Sequence, residues 1–145
     1  MTRVNVGIIP RKLSDEHLIA EHREIKRLTT FYKNRLKKNQ FDDIPENFVL
    51  GNGHMRFFLD KGLYTLNRYK SIFHECERRN FKIKDYSSSW HGYKKQHFND
   101  YKSNVIDKYK IVDRISTRIK NMKGILHYYG KPITKNRAIK LLMEK

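Results

Sequence analysis

The chain has 145 residues, 38% of them apolar, and carries 32 Lys and Arg against 15 Asp and Glu, a formal net charge of +17. That length is one domain with one core, and no apolar run approaches the roughly 20 residues of a membrane-spanning helix. A single cysteine, Cys76, excludes an internal disulfide and a cysteine-based zinc site, and the start of the chain lacks a signal segment, so an intracellular, reducing compartment is expected. The cationic excess points to nucleic acid, where each neutralised phosphate releases a counterion.

Residues 1–9 read as an extended arm ending at Pro10. Ser14 is a fair helix cap, followed by Asp15 and Glu16, acids that suit the positive end of a helix. A first helix is predicted over residues 15–38, with Leu18, Ile25, Leu28, Tyr32 and Leu36 on one side. Residues 39–53 look irregular, with Pro45 and a Gly51-Asn52-Gly53 turn. A second helix is predicted over 54–79, its stripe formed by Phe58, Leu59, Leu63, Leu66, Tyr69, Ile72, Phe73 and Cys76. Gly62 marks a possible break, and Asn80 is a reasonable left-handed cap. Residues 86–102 read as loop, in which Trp90 and His91 cover the core or touch DNA, the former favoured. A third helix is predicted over 104–122, with Val105, Tyr109, Val112, Ile115, Ile119 and Met122 inward, and Gly124 ends it. A short last helix could hold Ala138, Ile139, Leu141 and Leu142. No strand pattern stands out. The expectation is an all-α domain spanning 1–145, of three main helices with long loops, and 134–145 as a C-terminal extension.

At 100° per residue Glu24 falls on the border between the core and the surface of the first helix, flanked by Arg23 and Arg27. It serves either as an ordinary surface ion-pair partner or as an acid/base group inside a phosphate-binding rim. Thr2 is small, so Met1 is expected to be removed, leaving an α-amine on Thr2 beside Arg3. An α-amine has a reference pKa of about 7.7–8.0 against about 10.4 for lysine, so it is the more nucleophilic amine near neutrality. Such an amine attacks a sugar carbon or carbonyl and forms a Schiff base. Glu21, His22, Glu24, His74 and Glu75 do not form a recognised metal-ligand spacing.

Met1-Thr2-Arg3-Val4-Asn5, the run from His17 to Glu24, Phe48-Val49-Leu50-Gly51-Asn52-Gly53-His54-Met55-Arg56-Phe57-Phe58, Phe81-Lys82-Ile83-Lys84-Asp85 and Tyr128-Tyr129-Gly130-Lys131 closely resemble the pyrimidine-dimer DNA glycosylases, the phage endonuclease V type of UV-repair enzyme. The blocks occur in order over nearly the whole chain. The resemblance implies a compact fold with the arm threaded between helices, and a monomeric enzyme acting on damaged double-stranded DNA without metal or organic cofactor. It implies that Thr2 supplies the amine and that Glu24 moves protons and stabilises the cationic sugar. It places Arg3, His17, Arg23, Arg27, Arg114, Arg118, Tyr128, Tyr129 and Lys131 against DNA. The sequence departs from the family at Ile125-Leu126-His127, where two aromatic side chains are missing, and at Glu16, where the family has a glutamine. The alternatives are a glycosylase of the same fold for another modified base, and a non-catalytic nucleic-acid-binding module.

Overall fold

The computed structural model describes residues 2–144, most of them helical. Two of the three predicted helices are broken. Helix α1 (Asp15–Glu24) starts as expected: the Ser14 hydroxyl accepts from the His17 backbone N–H, and Asp15 and Glu16 occupy the first turn. The predicted continuation stops at Ile25 and Lys26, and α2 (Arg27–Lys38) follows at once. Torsions there stay in the right-handed helical region, but the bonds tighten to three residues, from Leu28 N–H to Ile25 O and from Thr29 N–H to Lys26 O. The Thr29 hydroxyl donates to the same Lys26 carbonyl at 2.7 Å. A side-chain hydroxyl that competes for a nearby helix carbonyl bends the helix, which accounts for the break.

The second predicted helix divides into α3 (His54–Phe57) and α4 (Gly62–Arg78). A Cβ on Gly62 would lie 2.5 Å from Tyr93 Cδ1 and 2.9 Å from Phe98 Cδ1. The loop rings therefore pack directly on the backbone that opens α4, and only glycine admits them. Asn80 adopts the expected left-handed conformation, with φ 62.

Helix α5 (Val105–Asn121) is capped reciprocally by Asn104 and Asp107. Val112, Ile115 and Ile119 face inward as predicted, joined by Ile111, but Val105 and Tyr109 are exposed. Asp107 takes the inward place in the first turn, where it accepts from the Tyr101 hydroxyl, and this rotates the apolar neighbours outward.

The expected mainly helical domain is observed, with the addition of a small hairpin that the sequence did not show. Strands β1 (Leu126–Tyr128) and β2 (Lys131–Ile133) pair antiparallel, Leu126 opposite Ile133 and Tyr128 opposite Lys131. Tyr129 and Gly130 form the two-residue turn with φ of 51 and 79, the handedness that matches strand twist. Strands of three residues are too short for alternation to be read. The extension forms α6 (Lys135–Met143), which packs Ala138, Leu141 and Leu142 against α5.

The arm lies inside the molecule. Val4, Val6 and Ile8 share one core with Leu18, Ile25, Tyr69, Ile72, Ile111 and Ile115. Glu21, 0% exposed, fixes it there. Its carboxylate accepts from the Asn5 backbone and side-chain nitrogens at 3.2 and 2.7 Å, and from Arg68 Nε and Nη2 at 2.8 and 3.0 Å. Arg68 also donates to the Ile8 carbonyl, and Arg114 donates to Asn5 Oδ1 at 3.1 Å. The arm is thus joined to α1, α4 and α5 by buried charge-assisted bonds, which are strong and whose loss is costly.

Replacing Arg68 with Ala strands the Glu21 charge without a partner. Urea unfolding should show a loss of about 3–5 kcal/mol, the scale for breaking a buried pair from one side. Arg78→Ala, whose side chain is 63% exposed in its pair with Glu75, is the control and should cost well under about 1 kcal/mol.

Candidate functional site

The pairing at Glu21 sets the direction of the arm. Asn5 meets Glu21, and one turn further along α1 Arg3 Nη1 stands 3.5 Å from Glu24 Oε2. Arm and helix therefore run antiparallel, which carries Thr2, 4% exposed, toward the Glu24 end. The loss of Met1 concerns a residue outside those described. Glu24 sits deeper than the helical wheel predicts, at 5% exposed, and its ion-pair partner is Arg3. Arg23 and Arg27 are both exposed, on α1 and at the start of α2.

Two atoms at this place are unusual. Glu24 Oε1 and Arg3 Nε are buried without a hydrogen-bond partner among the described residues. A buried carboxylate oxygen left unpaired costs about 1–3 kcal/mol or more, so it is open to a partner that a ligand can supply.

A cavity of about 440 Å³ opens beside them, lined by Arg3 of the arm, Glu16 and His17 of α1, and Thr117, Arg118, Asn121 and Met122 at the end of α5. Arg114, one turn before Arg118, is tied to the arm through Asn5. Burial, then the charge of Arg118, lowers Arg114 to about 10, and burial followed by Arg3 lowers Arg118. His17, whose Nδ1 lies 2.8 Å from the Ser14 hydroxyl, is lowered to about 4 by burial and then by Arg3 and Arg118, and so is neutral at pH 7. Arginines crowded in this way favour an anionic ligand.

The predicted contacts in the hairpin stand apart. The Tyr128 hydroxyl donates to the Arg11 carbonyl at 2.7 Å and the Tyr129 hydroxyl to Glu75 Oε2 at 2.5 Å. The Arg79 guanidinium lies 4.9 and 4.6 Å from their ring centres. Both rings thus have internal contacts, whereas Lys131 is exposed. Asp15 holds the turn itself, accepting from the backbone N–H groups of Tyr129 and Gly130 at 3.1 and 2.8 Å. Arg79 joins Asp15 to Glu75 and also donates to the Pro10 and Arg11 carbonyls. Two of the sequence departures touch each other: Glu16 Oε1 accepts from the His127 backbone N–H at 2.8 Å, and Glu16 Oε2 lies 2.7 Å from His127 Nδ1.

Sequence reasoning missed Asn5, Arg68 and Arg79, and saw Asp15 only as a helix-end charge. A pattern of spacing does not separate a buried polar residue from a solvated one. The other candidate ligands have structural partners: Glu21 and Glu75 are paired with arginines, and His22 Nε2 lies 3.0 Å from both the Lys84 carbonyl and the Tyr69 hydroxyl. Among the described residues no three His, Cys, Asp or Glu are grouped to hold a metal ion. Cys76 is buried, its thiol pushed up to about 11 by burial. Trp90 is in the core, donating to Thr65 Oγ1 at 2.9 Å, while His91 is exposed.

Residues 1–88 match the family model described as pyrimidine dimer DNA glycosylase. The matched span holds the arm, Thr2, Arg3, His17 and Glu24, and ends before α5.

The site also sets a pH dependence. His17 and His54 are both lowered from 6.5 to about 4, burial being the largest cause for each. His54 lies among Phe48 and Phe58 with Nδ1 2.9 Å from the Val49 carbonyl. The unfolded chain takes up these protons first, so stability is full above about pH 6.5 and falls as the pH drops toward 4. Unfolding midpoints should decline across that window, and the two imidazole resonances should show no titration above about pH 5. Titration of both near 6.5 would contradict the burial argument.

Proposed function

This chain belongs to the pyrimidine dimer DNA glycosylase family, and from that premise we propose that it excises UV-joined pyrimidines from double-stranded DNA with its N-terminal amine and then cuts the strand. The amine is that of Thr2 after loss of Met1. Its nitrogen attacks C1′ of the damaged nucleotide, forming a C–N bond as the glycosidic bond to the pyrimidine breaks. The amine loses its proton, the sugar ring opens, and an imine remains. Removal of a C2′ proton then expels the 3′ phosphate by β-elimination.

Each residue has a part in this scheme. Glu24 accepts the proton of the attacking amine and faces the positive charge that builds on the sugar. Arg3, Arg114 and Arg118 hold phosphate around the lesion, with Arg23 and Arg27 adding outer contacts. His17, neutral, is available as a hydrogen-bonding group rather than a charge. Lys131 and the exposed edge of Tyr129 extend the footprint along the duplex. The observation that carries the reading is the buried Oε1 of Glu24, unpaired among the described residues, at the end of α1 toward which the arm runs.

Borohydride should trap the protein covalently on a UV-irradiated duplex and on an abasic duplex. Trapping should vanish when the N-terminus is acetylated, with binding retained. An acetylated chain that still cuts would exclude the amine. Glu24→Gln keeps the size and removes the proton carrier. It should bind damaged DNA as well as the parent and excise at least about 10²-fold more slowly in single turnover. Unchanged excision by the folded variant would remove Glu24 from the scheme.

The charge excess leads to a separate expectation. The logarithm of the binding constant should fall with the logarithm of salt concentration with a slope of about −0.9 per phosphate contacted. A slope near zero would exclude the phosphate rim.

A further inference from the structure

An acidic side chain is out of place in the wall of a cavity that otherwise carries Arg3, Arg118 and His17. Glu16 is that side chain. It repels phosphate, so the DNA backbone is not what it is shaped to receive. Its position is nevertheless held firmly. The His127 backbone N–H and ring Nδ1 engage one oxygen each, at 2.8 and 2.7 Å, and the pair links α1 to β1. The side chains remain 35% and 41% exposed, so the carboxylate keeps an open side. A carboxylate has about four lone-pair positions, and these two contacts use two of them. What remains is a fixed, acceptor-only edge inside a space of about 440 Å³, within the range of small-molecule sites. Arg3 lines the same space and pairs with Glu24, which places the cavity directly beside the proposed chemistry.

Glycosylases work on nucleotides taken out of the base stack, and an everted base exposes the edge it uses for pairing. We propose that Glu16, held by His127, is a specificity-determining residue that selects an everted nucleobase by accepting a hydrogen bond from its N–H edge. The inference rests on the reading of the chain as a DNA glycosylase and adds the chemistry of what enters the cavity. The shared feature is a donor edge, either the ring N–H of the damaged pyrimidine or the exocyclic amine of the base across from it. His127 is a positioning residue. Its backbone N–H fixes one Glu16 oxygen, and its ring fixes the other.

The test is equilibrium binding of the full chain, acetylated at its N-terminus so that it binds without cutting, followed by fluorescence anisotropy on two series of duplexes. In the first, the ring N–H of the thymine dimer is present or blocked by N-methylation. In the second, the opposite base is adenine or purine, which lacks the 6-amino group. Deleting the donor that Glu16 reads should weaken binding about tenfold in one series and little in the other, which identifies the source. In Glu16→Gln the amide oxygen is claimed by the His127 N–H and a donor replaces the second acceptor, so that preference should disappear while the chain stays folded. His127→Ala keeps the carboxylate but frees it, and should leave an intermediate preference. A wild-type chain indifferent to both deletions, or a Glu16→Gln chain that keeps the preference, overturns the proposal. Because binding is read without covalent chemistry, a failure to trap with borohydride would strike the amine mechanism and leave this result standing.

Discussion

The ion pair between Glu21 and Arg68 is buried on both sides, and the position of the arm depends on it. Two carboxylate oxygens accept four nitrogens, two from Asn5 and two from Arg68, so that an extended segment with no ladder of its own gains fixed partners. The neighbouring apolar residues Val4, Val6 and Ile8 supply burial but little direction, since the hydrophobic effect does not set register. The charged bonds do set it. They hold Asn5 one turn of α1 away from Arg3 and Glu24, and they recruit α5 through Arg114. A change of one residue in the length of the arm would shift Arg3 away from Glu24 while leaving both side chains in place.

The same economy of anions shapes the site. In a chain of net charge +17 the arginines crowd one another, and burial with the neighbouring guanidinium lowers both Arg114 and Arg118. Among the described residues Glu24 is paired at one oxygen, by a contact of 3.5 Å with Arg3. A carboxylate tightly held by two arginines would be a poor proton acceptor. A carboxylate with an unpaired oxygen is better suited to exchange a proton, which is the part proposed for Glu24.

A second buried ionic group performs for the hairpin what Glu21 performs for the arm. Asp15 closes the turn of Tyr129 and Gly130, Arg79 spans Asp15 and Glu75, and the rings of Tyr128 and Tyr129 cover the guanidinium. Asp15 and Glu16 are adjacent in sequence, and both hold the hairpin, one by its tip and the other through His127. The first turn of α1 is therefore the joint at which the C-terminal hairpin and the cavity meet.

Much of this was legible in the sequence. Charge alone pointed to a polyanion, the Ser14 cap and the apolar spacing located the start of α1, and Asn80 marked the end of α4. Those features are local, because propensity, capping and period are written within a few residues. The blocks around Thr2 and Glu24 carried the family, which the match over residues 1–88 then showed. The tertiary structure alone decided the break at Ile25 and Lys26, the outward turn of Val105 and Tyr109, and the short hairpin. It also gave Glu21 and Glu24 different partners, Asn5 and Arg68 for the first and Arg3 for the second, although one helical turn divides them. The reason is physical: the role of a buried charge is set by the partner it meets, and Arg68, Arg114 and His127 reach α1 and the arm from 47, 109 and 111 residues away in the chain.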